Sequence, residues 1–182
     1  ELSSINFELK RPLNIDRIKS ASERQSILST EEIVVAHKAL NSDKDVFMAV
    51  SEAASGTWNA SHTVLDNIVS GINQVVSLEK LYDTFAPVRS ILRQKHGDII
   101  HLYRAIGAQI EKPTTNWAST REGALRYGTN IIERDVPIDD ILAVNVGNGN
   151  YEEFIVTSVK PALSRLRGEA ARGATAAPGA PK

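Results

Sequence analysis

Apolar residues recur at helical spacing through the first half of the chain and collect into short β-rich runs in the second, with the change falling at Asp98. Ser29 followed by Glu32 is a capping-box pattern ahead of Ile33, Val34, Ala36 and Leu40, which predicts a helix stopping at Asn41. Ser42 or Asp43 opens a second helix, with Val46, Phe47, Val50 and Ala53 on one face until Gly56. From Ser61, the residues Val64, Leu65, Ile68, Ile72, Val75 and Val76 repeat at the period of a longer helix. Ser77 is a candidate cap for a further turn carrying Leu78, Leu81 and Tyr82, with Glu79 suited to its start. Lys80 stands where a capping box places an acid, so the preceding helix running on is the alternative. Pro87 starts or kinks a last helix through Ile91 and Leu92, and Gly97 closes it.

After Asp98, the residues Ile99, Ile100, Leu102 and Tyr103 form a β-rich run, and strand-like runs follow at 130–132, 141–146 and 154–159. Ser119 and Glu122 predict the capped start of a short helix that carries Ala124, Leu125 and Tyr127 and ends at Gly128. The Gly-Asn-Gly-Asn run from Gly147 to Asn150 lies between two strand-like segments and reads as a hairpin turn rather than a phosphate cradle. Helices first and strands afterwards predict an α+β fold with segregated layers, not a parallel Rossmann sheet. The expected organisation is an extended arm over 1–23 and one domain over 24–167. That domain divides into a helical lobe (24–97) and a β-rich core (98–167). The Ala-, Gly- and Pro-rich tail over 168–182 offers too little apolar surface to offset ordering entropy, so disorder is expected there.

Composition narrows the chemistry. A formal net charge of -1 gives no broad field toward nucleic acid or an acidic membrane, so such a partner needs a local patch. The absence of cysteine excludes disulfides, thiolate metal sites and cysteine nucleophiles. His37, His62, His96 and His101 lack the close spacing of a metal site, and no metal is expected. No apolar run reaches the ~20 residues of a membrane-spanning helix, so a soluble chain without membrane insertion is the expectation. The Arg93, Lys95, His96 cluster reads either as a phosphate or nucleic-acid contact or as a solvated helix end.

Three pieces of the second half carry the candidate chemistry. The first is His101-Leu102-Tyr103-Arg104-Ala105-Ile106-Gly107. The second is Asn116-Trp117-Ala118-Ser119-Thr120, leading into Ala124-Leu125-Arg126-Tyr127. The third is Val136-Pro137-Ile138-Asp139-Asp140-Ile141-Leu142, ahead of Tyr151-Glu152-Glu153-Phe154-Ile155-Val156. In order and spacing these resemble the bacterial and phage mono-ADP-ribosyltransferases of the arginine-serine-glutamate class, over about 99–157. In that family an arginine ends the first core strand in a Leu-Tyr-Arg-Gly context, a Ser-Trp-Thr or Ser-Thr-Ser piece opens the second, and Glu-x-Glu followed by apolar β residues closes the site. Here Ala105 follows the arginine, Asn116-Trp117-Ala118 stands in place of Ser-Trp-Thr, and Tyr151 occupies the first position of Glu-x-Glu.

The resemblance implies a helical lobe packed on a split antiparallel β core, with NAD as substrate in the cleft and no metal. Breaking the nicotinamide-ribose bond develops positive charge on the sugar, which a carboxylate stabilises more in the transition state than in the ground state; by resemblance that residue is Glu153. Arg104 is assigned to the pyrophosphate, for which a guanidinium supplies a planar donor fork. Tyr103, Asn116, Trp117 and Ser119 are the other NAD-side candidates, and Tyr151 takes the acceptor-orienting position. Asn116 replaces the motif serine, or Ser119 is that serine with a capping role as well. Trp117 and Tyr103 stack on the substrate or pack in the core, Arg104 binds NAD or pairs with a surface acid, and only one of Glu152 and Glu153 lines the site because strand neighbours face opposite ways. By resemblance the chain is a secreted toxin or delivered effector, and a host or target-cell protein is the expected acceptor. Nucleic acid is not indicated as a partner, and a monomer is expected. The alternative is a catalytically degenerate ADP-ribosyltransferase fold serving as a protein-binding module.

Overall fold

The computed structural model describes residues 13–52, 61–71, 76–107, 113–147 and 149–157. The helices are α1 (Ala21–Arg24), α2 (Thr30–Leu40), α3 (Lys44–Glu52), α4 (Ser61–Ser70), α5 (Leu78–Thr84) and α6 (Ala86–His96), followed after two strands by α7 (Arg121–Ala124). The strands are β1 (Ile99–Ala105), β2 (Thr114–Trp117), β3 (Ile131–Pro137), β4 (Ile141–Asn145) and β5 (Glu153–Thr157). The fold is mixed α+β with antiparallel sheets, and α1–α6 precede the first strand.

Local chemistry accounts for the helix ends. Ser29 caps α2 through the full capping box with Glu32, and Asn41 ends the helix. Asp43 Oδ1 accepts from the backbone of Asp45 and Val46, which opens α3. Ser77 caps α5 by accepting from Lys80 N, so a new helix starts here and the preceding one does not run on. Pro87 lies in the first turn of α6, where its missing N–H is harmless, and Gly97 closes that helix at φ 83°. The expected positions Ala53, Gly56, Ile72, Val75, 158–159 and the tail at 168–182 lie outside the described residues.

Among the described residues two sheets make up the β half. β1 and β3 pair antiparallel from Ile99 opposite Pro137 to Ala105 opposite Ile131. The second sheet has the order β2-β5-β4, also antiparallel. Gly147 and Gly149 lie between β4 and its antiparallel neighbour β5, as the hairpin reading requires, with φ 50° and 92°. The two sheets meet at one bridge, where Tyr103 and Ala118 exchange main-chain hydrogen bonds of 2.9 and 2.8 Å.

Three expectations are corrected. β3 runs on through Glu133, Arg134 and Asp135, well past 130–132, because in a two-stranded sheet the exposed face tolerates charge. β2 is a strand that the sequence pattern left unmarked. The stretch before Ala21 is not simply extended: Ile15–Arg17 forms a 3-10 turn, and Ser20 caps α1 through a capping box with Glu23. This segment is docked, since Lys19 N donates to Asn150 Oδ1 at 2.7 Å and Asn150 Nδ2 donates to Arg17 O at 3.2 Å.

One core joins the helical and β halves. Val46, Leu65, Ile68, Phe85 and Leu92 from the helices pack in the same buried cluster as Leu102, Ile138, Leu142, Val144 and Phe154. Burying each such side chain contributes about 1.5–3 kcal/mol. Polar ties fix the docking: buried Arg89 on α6 donates to Ile141 O at 3.1 Å and to Tyr82 O, and Asp66 on α4 accepts from both N and Oγ1 of Thr114. β2 and β4 are thereby held against the helices while β5 lies between them.

Candidate functional site

β5 opens with Glu153, and its ladder with β2 sets Asn116 opposite Ile155 and Trp117 opposite Phe154. Side chains two apart share a strand face, so this register brings Asn116 within reach of Glu153. Asn116 Nδ2 donates to Glu153 Oε1 at 2.6 Å. Both residues belong to the candidate set, and the fold joins them across 37 positions of sequence. The other atoms of the pair, Asn116 Oδ1 and Glu153 Oε2, are buried without a hydrogen-bond partner. Buried polar atoms in native proteins are nearly always satisfied, and leaving one orphaned costs roughly 1–3 kcal/mol. Neither atom reaches the surface, and the Tyr151 hydroxyl is the nearest further donor to the Glu153 carboxyl.

Glu153 is 9% exposed, and burial pushes its carboxyl above the ordinary glutamate range against the lowering effect of Asn116 and Tyr151. Tyr151 lies two residues earlier, its hydroxyl hydrogen-bonded to the Tyr127 hydroxyl. Burial, with the adjacent Glu153 carboxylate, pushes the Tyr151 phenol far up, so it is a neutral group at every physiological pH. Tyr127 comes from the 3-10 turn Leu125–Tyr127 that follows α7. A Cβ at Gly128, the next residue, would stand 3.4 Å from Ala105 Cβ, so this turn lies close over the end of β1. Asn116, Glu153, Tyr151 and Tyr127 are thus linked in one chain of contacts, and the Tyr127 turn abuts the Ala105 side of β1, the face opposite to the one Arg104 takes.

Arg104 is half-buried and pairs with Ile132 across β1–β3. Its neighbour Tyr103 makes the bridge to Ala118, which holds the arginine end of β1 two residues from Asn116. Tyr103 itself lines a groove of about 310 Å³ with Ile27, His96, Ile99, Ile100, His101 and Ser119. As a strand neighbour, Arg104 points to the opposite side of β1 from Tyr103. Tyr103 is therefore separated from Arg104 as an NAD-side residue.

Two further candidates are corrected. Trp117 is 2% exposed, donates through Nε1 to Thr115 Oγ1 at 2.7 Å and lies under the Arg134 guanidinium, so it packs in the core and has no free face for a ligand. Ser119 is neither the helix cap nor the Glu153 partner. Thr120 caps α7 by accepting from Gly123 N, whereas Ser119 Oγ donates to Glu152 Oε1 at 2.8 Å and accepts from Ile27 N at 3.1 Å. A buried carboxylate needs donors, and Ser119 is one of those supplied to Glu152. Asn116 is the residue that holds Glu153.

Glu152 takes the other side of the chain from Glu153. Its Oε2 meets Arg24 Nη1 at 3.2 Å in an ion pair whose side chains are 2% and 6% exposed. Arg24 also donates through Nε to Lys19 O at 2.9 Å and through Nη2 to Leu28 O at 2.6 Å. Tyr127 and Arg24 are the functional candidates that sequence reasoning missed. Tyr127 carried only the weak signal of an aromatic after Ala124, and Arg24 carried none, since its partner lies 128 positions away.

The Arg93, Lys95, His96 cluster is spoken for by acids: Arg93 by Asp98 and Asp139, Lys95 by Glu31 and His96 by Glu32. It offers no unopposed positive patch. Among the described residues no group of three or more metal-ligating side chains converges, and no helix is long and apolar enough to cross a membrane. No family model matches the chain, and comparison with curated proteins and with solved structures gave no match.

Proposed function

We propose that this protein is a mono-ADP-ribosyltransferase that transfers ADP-ribose from NAD to a macromolecular acceptor, with the site at Asn116 and Glu153. One observation carries the reading: Asn116 and Glu153 are hydrogen-bonded at 2.6 Å, and each keeps a buried acceptor atom unsatisfied. Those atoms suit the hydroxyls of a ribose. In the reaction the bond from ribose C1′ to the nicotinamide nitrogen breaks, its electron pair leaving with neutral nicotinamide. The Glu153 carboxylate stabilises the positive charge on the sugar, and the acceptor attacks C1′ and gives up a proton. In this reading Arg104 takes the pyrophosphate, as a guanidinium at a strand end is suited to do. The acceptor is a protein of a host or target cell, and the chain acts as a toxin or delivered effector, by resemblance alone.

Tyr151 favours a second reading, an ADP-ribosyltransferase fold that binds without turnover. A phenol that stays neutral replaces an acid at the acceptor-orienting position and is already bonded to Tyr127. Incubation with labelled NAD and a cell lysate separates the two. The transferase predicts a labelled band or released nicotinamide, lost in Glu153→Ala. NAD binding with neither product supports the protein-binding module, and no NAD binding removes the transferase.

A further inference from the structure

We propose that Arg24 and Glu152 form a positioning clamp that holds the Asn116–Glu153 pair from the far side of the chain, a role that rests on the transferase reading for its effect on turnover. The β2–β5 ladder ends at Trp117 opposite Phe154, so the chain at 118–120 and at 150–152 has no main-chain pairing between these two segments, although Ala118 is bridged to Tyr103 and Glu153 is paired with Asn145 of β4. Side chains link the two segments instead. Glu152 Oε1 accepts from Ser119 Oγ at 2.8 Å, which ties the residue before Glu153 to the residue three after Asn116. Arg24 fixes the other carboxylate oxygen at 3.2 Å.

The segment that carries Arg24 grips both site-bearing stretches independently. On the β2 side Ile27 N donates to Ser119 Oγ and Gln25 O accepts from Thr120 Oγ1. On the β5 side Lys19 N donates to Asn150 Oδ1. Within Tyr127's turn, Arg126 donates to Gln25 Oε1 at 2.9 Å and to Arg24 O at 3.2 Å. The 19–27 segment is therefore a strap over the exit of β2, the entry of β5 and the root of the Tyr127 turn. Arg24 is at its centre, and its hydrogen bonds go to Lys19 O, Leu28 O and Glu152.

A test must separate position from stability. Arg24→Met/Glu152→Leu removes the buried pair in favour of apolar groups of similar size, an exchange that generally preserves a fold. Arg24→Met/Glu152→Gln keeps an acceptor for Ser119 without the charge. Carbon-detected NMR titration of the Glu153 carboxyl reads the position directly and does not depend on activity. In the Met/Leu variant it should move down toward the ordinary glutamate range as the loosened pair admits water, and in the Met/Gln variant, which keeps the Ser119 bond but loses the Arg24 anchor, it should move part of the way; a Met/Gln variant that titrates as the parent chain does removes Arg24 from the clamp. With NAD, the Met/Leu variant should lose about tenfold or more in kcat with KM little changed, as loss of positioning predicts, and the Met/Gln variant, with the Ser119 bond but no Arg24, should recover only part of it. A folded Met/Leu variant with an unmoved Glu153 titration overturns the clamp. If the parent chain does not release nicotinamide, the transferase reading fails on that result while the titration still decides the clamp.

Discussion

Glu153 holds a carboxyl where burial opposes its charge, and this has a consequence for stability as well as for chemistry. Its value in the folded chain is raised above the ordinary 4.5, so the native state binds the proton more tightly than the unfolded chain. Stability from this group is therefore present below pH 4.5 and declines as pH rises through the window up to the raised value. Glu153→Gln removes that decline. Above the window the variant should be more stable by roughly 1–3 kcal/mol, the size of an uncompensated buried polar group, and below it the advantage should vanish. Denaturant titrations of both proteins across pH check this; Glu152, also raised by burial, is common to both and cancels. In turnover, ionised Glu153 is the competent form, so kcat should fall as pH drops through the raised value and not at the ordinary one. At Asn116, serine supplies a hydroxyl donor to Glu153 and alanine supplies none. Asn116→Ser should keep turnover within about tenfold and Asn116→Ala should lose about a hundredfold, read as nicotinamide release. Asn116 and Glu153 stood together in the sequence reading through residue type and order, and the fold joins them by a hydrogen bond. The places of Trp117 and Ser119 were not legible, because a motif position does not reveal whether its side chain is already occupied by the core or by a buried acid.

Element ends that depend on local chemistry were readable, and those that depend on distant partners were not. Ser29, Glu32 and Asn41 bound α2 as their sequence pattern requires, since capping needs only neighbours three or four residues away. Ser29→Ala should cost about 1 kcal/mol, measurable as a fall in Tm, and more than that would show that the Lys95 contact to Ser29 Oγ matters too. β2 was missed because Thr114–Trp117 has no apolar alternation of its own; its pairing with β5 and the Asp66 bonds to Thr114 make it a strand. The segment through Arg24 read as an arm because its apolar positions are few, and its partners at Ser119, Asn150 and Glu152 lie more than ninety residues on.

Across the whole molecule, the division into a helical and a β-rich half was legible from periodicity, while the shared core was not, because periodicity marks buried faces without saying what they meet. Phe85 from the helical half and Phe154 from the β half are both fully buried in one cluster. Phe85→Ala should therefore destabilise both halves together by about 3–5 kcal/mol. In a Trp58→Phe background, circular dichroism and Trp117 fluorescence should shift to the same new midpoint; separate transitions would show two independent units. The central claim, that Asn116 and Glu153 receive a ribose of NAD, is tested most directly by a crystal structure with NAD bound. The expected result is a nicotinamide-ribose hydroxyl within hydrogen-bond distance of Glu153 Oε2 or Asn116 Oδ1, the two atoms otherwise left without partners. NAD bound elsewhere, with both atoms satisfied by water or by each other's neighbours, contradicts it.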